Sequence, residues 1–111
     1  MEDTLIESVH LIEDDWVEYV TKISDNMGDN VSIYKKGKVY SDFGITSFNL
    51  ASSVTPEYFK KNYGKIVERF DCEYNSETGE ITCIAPSRKF SDITMLYIVQ
   101  CISAIYTKFE A

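Results

Sequence analysis

One histidine, His10, in 111 residues leaves little room for the chemistry small enzymes most often use. A zinc site without further imidazoles needs an unusual ligand set. Cys–His or Ser–His nucleophilic catalysis would rest on His10 alone, at a strand start with no partner signal. Cysteine is scarce as well: Cys72, Cys83 and Cys101 are an odd count without CxxC spacing. Cys72 and Cys83 stand across an expected hairpin, so a disulfide between them is geometrically conceivable. Reduced, half-buried thiols are the reading that a cytosolic chain favours. No apolar run approaches the roughly 20 residues of a membrane helix. The opening MEDTLIESV is acidic where a secretory signal carries a basic region. These absences point to a cytoplasmic chain without membrane association. Internal repeats, low-complexity tracts and linkers are missing too, which leaves a single domain over residues 1–111.

Basic charge is what the first part of the chain lacks most. Residues 1–30 hold nine acids against Lys22 alone, whereas the whole chain carries −7. Binding to a nucleic-acid backbone needs Lys and Arg to displace counterions, so direct contact with nucleic acid is disfavoured. A basic protein surface is the partner such a segment suits, the plainer alternative being a solvated acidic face that keeps the chain in solution.

What is present is alternation. In NVSIYKKGKVYSDFG, Val31 to Tyr34 and Val39 to Phe43 follow period two, with Lys36-Gly37 as the turn and Gly44 as the stop. This predicts a β-hairpin with one buried face and a basic tip of Lys35, Lys36 and Lys38. Trp16 to Ile23 reads as a strand with Val17, Tyr19, Thr21 and Ile23 on its core face. Thr4 to Val9 reads as a short helix, Val9, His10 and Leu11 as the start of an extended segment before a turn at Glu13-Asp14-Asp15, and Thr46–Leu50 as a turn of helix. Val54-Thr55-Pro56-Glu57 is a helix start with Thr55 as N-cap, Pro56 in the first turn, and Val54 with Phe59 as a staple. Phe59, Tyr63, Ile66, Val67 and Phe70 then recur at helical spacing, as a core stripe rather than a base-stacking platform. Gly64 inside that helix is expected to allow close approach to the sheet. A second hairpin spans Asp71 to Ala85, and Ser91 caps a last helix that is apolar nearly all round. Such a helix must be covered on more than one side, by the sheet and the other helix or by a second copy in a homodimer. The fold class is α+β, a small antiparallel sheet of two hairpins against two main helices, in the order β-β-β-α-β-β-α.

Several segments together resemble a bacterial and phage family. They are Asp14-Asp15-Trp16-Val17-Glu18, Gly28 to Tyr34, Tyr40 to Thr46, Ile66 to Cys72, Gly79-Glu80-Ile81, and the helix from Leu96 to Phe109 with Gln100. In spacing they are similar to the domain of unknown function 1828. That family's "gD-x-I-x-I-y" strand precedes a "y-x-(L/I)-T-D-D-G-x-T" strand, a helix, a short hairpin and a closing helix. The likeness spans Ile12 to Phe109 and departs at two places. Phe43 stands where the family has its second acid, and the N-terminal helix is shorter. The resemblance implies association with phages and mobile elements and no established activity. The order of elements also resembles type III secretion chaperones, in fold and charge only.

Two kinds of site are open at this point. Glu13, Asp14, Asp15, Glu18, Asp25 and Asp29 are candidates to bind a basic partner. That would make the chain a non-enzymatic interaction protein of phage or mobile-element origin, an anti-defence inhibitor occupying a nucleic-acid-binding surface of a host protein. Asp29 and Asp42, with Glu18 and a nearby Lys22 or Lys38, could instead hold magnesium in a small metal-dependent nucleic-acid enzyme. Against this, short acids at such positions commonly cap turns and accept loop amides. Asp42-Phe43-Gly44 matches the kinase magnesium motif by coincidence, since no glycine-rich phosphate loop accompanies it. A dimeric chaperone-like binder of an extended partner segment is the third reading. No cofactor is implied.

Overall fold

The computed structural model describes residues 5–50 and 55–110. Its elements are β1 (Ile6–Leu11), β2 (Val17–Ser24), β3 (Asn30–Lys36), β4 (Val39–Ser41), α1 (Ile45–Leu50), α2 (Pro56–Arg69), β5 (Glu73–Tyr74), β6 (Ile81–Ile84) and α3 (Ser91–Glu110). The strands form one antiparallel sheet in the order β1-β2-β3-β4-β6-β5. The class is therefore α+β, as expected. The expected order lacked one strand and one short helix. Residues 6 to 9, read as helix, belong to β1, because pairing with β2 satisfies their backbone groups better than a single isolated helical turn can. Residue 54, half of the expected staple, lies outside the described residues, as do the acids Glu2 and Asp3.

Alternation sorts the strands as the sequence implies. Thr21, Val31, Ile33, Tyr40, Ile81 and Cys83 are buried on one face. Both long helices cover that face. Thr55 caps α2 by accepting the Tyr58 N–H at 3.2 Å, and Phe59, Tyr63 and Val67 form its buried stripe. α3 packs on β2, β3, β4 and β6 and beside α2, which buries Met95, Ile98, Val99, Cys101, Ile102, Ile105 and Tyr106. Two-sided cover explains why this helix is apolar over so much of its circumference. Ser91 opens the helix from within, after a 3-10 turn at Arg88–Phe90, and its side chain bonds the Tyr40 hydroxyl rather than capping.

Gly64 does not serve close packing. A Cβ built there meets nothing within 4 Å, and the backbone is not left-handed. The glycine costs helix stability with no packing return, so Gly64→Ala is expected to raise the unfolding free energy by about 1 kcal/mol. Urea denaturation of the two proteins measures this. An unchanged or lower midpoint would refute it.

Candidate functional site

The acidic candidates fall at the two ends of β2, about 26 Å apart for an eight-residue strand. Glu13–Asp15 form a 3-10 turn between β1 and β2, closed by Ile12 N–H to Trp16 O at 2.9 Å and Trp16 N–H to Glu13 O at 3.3 Å. Asp14 and Asp15 hold left-handed backbone, φ 60° and 65°, which a short polar side chain tolerates. All three acids face solvent. The basic tip of the β3–β4 hairpin stands at the same end, since Val17 pairs with Lys35. Asp15, Lys35 and Lys38 share a shallow cavity of about 360 Å3.

At the other end Asp25 shapes the β2–β3 turn. Its carboxylate accepts the Met27 N–H at 2.8 Å, the Asp29 N–H at 3.0 Å and the Asn49 side-chain amide at 3.4 Å. Asp29 is exposed. Glu18, the second residue of β2, on the face away from the helices, accepts from Ser32 Oγ at 2.8 Å and from the Tyr34 hydroxyl at 3.4 Å. So Glu13, Asp14, Asp15 and Asp29 are free to meet a partner, while Glu18 and Asp25 have internal work. Glu7 on β1 is a further exposed acid, held by the Asn30 side-chain amide at 2.7 Å. It counts in the charge balance of residues 1–30 and is not among the candidate partner-binding residues.

Asp42 lies elsewhere. It is 1 % exposed, at the end of β4, and its carboxylate is fully engaged. One oxygen accepts the N–H groups of Gly44 and Ile81, each at 2.8 Å, and the other accepts the Thr46 N–H at 3.2 Å. The residue starts α1 and ties it to β6. Gly44 is required in this turn: its φ is +79°, and a Cβ would stand 3.1 Å from the Thr78 carbonyl oxygen. Among the described residues no group of three or more His, Cys, Asp or Glu is arranged to hold a metal ion.

Phe43 turns to the open face of the sheet. Its ring stacks on Tyr34 at 4.1 Å between centroids and meets Trp16 edge-on at 4.8 Å. The Lys36 ammonium lies 5.9 Å above the Trp16 ring. Burial first, and then the Glu18 carboxylate, push the Tyr34 phenol above its ordinary value. The alternation placed Trp16 and Glu18 on this face. It also ran on to Phe43, whereas β4 ends at Ser41 and the left-handed backbone of Phe43, φ 56°, lies beyond the strand.

Apolar side chains stay uncovered on β1 and beside α3, among other places. Val9 and Leu11 on β1 are 55 % and 78 % exposed. Ile84, Phe90, Ile93 and Tyr97 line a groove of about 380 Å3 between β6 and the first turns of α3. That groove is where the homodimer expectation for the last helix would apply. Cys72, Cys83 and Cys101 are buried free thiols. The Cys72 thiol is pushed up first by its hydrogen bond with Cys101, and the Cys83 thiol first by its bond with Cys72. Such thiols are poor nucleophiles. No helix among the described residues is long and apolar enough to cross a membrane.

No family model matches the chain, and neither a curated protein nor a solved structure does.

Proposed function

We propose that this chain is a non-enzymatic interaction domain, of the phage or mobile-element kind its motifs resemble, which holds a basic protein surface against its first hairpin. The observation that carries this reading is the solvent exposure of Glu7, Glu13, Asp14, Asp15 and Asp29 around β1 and β2. Glu13, Asp14 and Asp15 are consecutive in one exposed turn, so their like charges repel one another and reward a cationic surface that covers them. A partner that normally binds nucleic acid offers such a surface, and occupying it would inhibit that partner. The metal-dependent alternative loses its main ligand, because the Asp42 carboxylate already accepts three backbone N–H groups.

Glu13→Gln, Asp14→Asn and Asp15→Asn together remove the charge and keep the turn, since asparagine tolerates left-handed backbone. Tagged parent and variant are compared for salt-eluted retention of a basic protein from a bacterial lysate, with a control that neutralises Glu57, Glu68 and Glu77. The expected result is an affinity at least tenfold weaker for the turn variant at low salt, converging with the parent at high salt, and no change for the control. Equal retention by turn variant and control would refute the reading.

A further inference from the structure

Among the described residues the strand β1 is a free edge of the sheet, and we propose that it is the docking element itself: an extended basic segment of the partner adds to it as a seventh strand. This rests on the reading above and names its mode. The phase of the ladder decides which groups are offered. Ile12 N–H bonds Trp16 O, and hydrogen-bonded pairs alternate in an antiparallel ladder. Ser8, His10 and Ile12 therefore address β2, while Val9 and Leu11 turn their N–H and C=O groups to the open edge. Their side chains point to the helix side of the sheet, opposite Tyr19 and Val17, but beyond the reach of the helices, which leaves them 55 % and 78 % exposed.

Edges are normally blunted by shortness, lysine, proline or a covering segment. The opposite edge, β5, is two residues long. By contrast β1 has six residues, neither lysine nor proline, and one irregularity between Ile6 and Ser8. Its protection is charge of one sign. Antiparallel pairing of two copies about His10 would set Glu7 of each against Glu13 of the other, and like charges directly opposite destabilise a ladder. Self-pairing is repelled for the same reason that a cationic strand is attracted. The fitting occupant alternates apolar residues, which cover Val9 and Leu11, with Lys or Arg, which meet Glu7 and the Glu13–Asp15 turn. Backbone bonds to an edge strand then give affinity, and alternate side chains give selectivity.

The test uses the intact chain and an acetylated, amidated octapeptide of alternating Lys and Val, followed by amide hydrogen exchange. Expected are at least tenfold slower exchange of the Val9 and Leu11 N–H groups on binding, and at least tenfold weaker binding by one of two peptides N-methylated on alternate amides. The N-methyl comparison leaves the protein untouched, so folding of a variant is not at issue. Binding with unchanged Val9 and Leu11 exchange, or equal binding by both N-methylated peptides, overturns strand addition and leaves the charge-based reading standing. Absence of binding at low salt overturns both.

Discussion

Asp42→Ala is expected to unfold on the order of 15 °C below the parent protein, a loss of about 3 to 5 kcal/mol. The size follows from what the carboxylate leaves behind. Gly44, Ile81 and Thr46 each direct a backbone N–H at it in a site 1 % exposed, and alanine would strand all three donors without water. Buried donors without partners cost far more than the net worth of the bonds themselves. One of the donors belongs to the β4–α1 turn, one to the first turn of α1 and the third to β6, so the loss also loosens the junction between the hairpins. Asp42→Asn keeps one acceptor oxygen and should fall between parent and alanine variant. If Asp42→Ala melted within about 3 °C of the parent, well short of a 1 kcal/mol loss, the carboxylate would not be a structural tie.

The same residue gives the pH dependence a sign. Burial pushes the Asp42 carboxyl above its ordinary value, against the pull of the Ile81 and Gly44 amides and of Thr46. A carboxyl whose folded value exceeds its unfolded one, about 3.9, keeps its proton longer in the folded chain. Its contribution is complete below the unfolded value and is lost as pH rises through the folded one. The Asp42 contribution should accordingly decline from about pH 4 upward, so that the stability difference between the parent and Asp42→Asn changes with pH in that sense. Urea midpoints across that range provide the comparison.

How much of this was legible depends on how local each signal is. The β3–β4 hairpin could be read from residues 31 to 43 because period two and a glycine turn lie within one short window. The start of α2 was legible because Thr55, Pro56 and Glu57 act on their own backbone. β1 was legible only in its second half, where Val9 and Leu11 begin an extended segment; the bulge after Ile6 breaks the alternation in its first half. The role of Asp42 was half legible. A capping acid before Gly44 is a local pattern, whereas its bond to Ile81 joins residues 39 apart in sequence. The acids of the first thirty residues could be counted but not sorted. Only the ladder shows that Glu18 is bonded by Ser32 and Tyr34, that Asp25 is bonded within its turn, and that the Glu13–Asp15 turn projects next to the lysine tip.

The second large effect is expected at the opposite edge of the molecule. Phe59 is fully buried on α2, stacked on Tyr74 of β5 at 4.2 Å between centroids and tilted against Tyr63 at 5.1 Å. β5 is two residues long and pairs only with β6, so its backbone bonds alone hold it weakly. The aromatic stack, with the bond between the Tyr74 hydroxyl and Ser47 at 3.3 Å, keeps the strand under the helix. Phe59→Ala removes the ring and leaves a cavity among side chains that relax only partly, which costs about 3 to 5 kcal/mol. Phe59→Leu preserves most of the volume and should cost under about 1.5 kcal/mol. A double-mutant cycle with Tyr74→Ala separates cavity from stacking, and a coupling of about 0.5 to 1.5 kcal/mol is expected for the pair. Hydrogen exchange then locates the damage. Amides of α2 and β5 should open at lower free energy than those of β2 and β3, because the first hairpin pairs independently of this anchor. Uniform weakening of all strands would show instead that the core yields as one unit and that Phe59 anchors no separate edge.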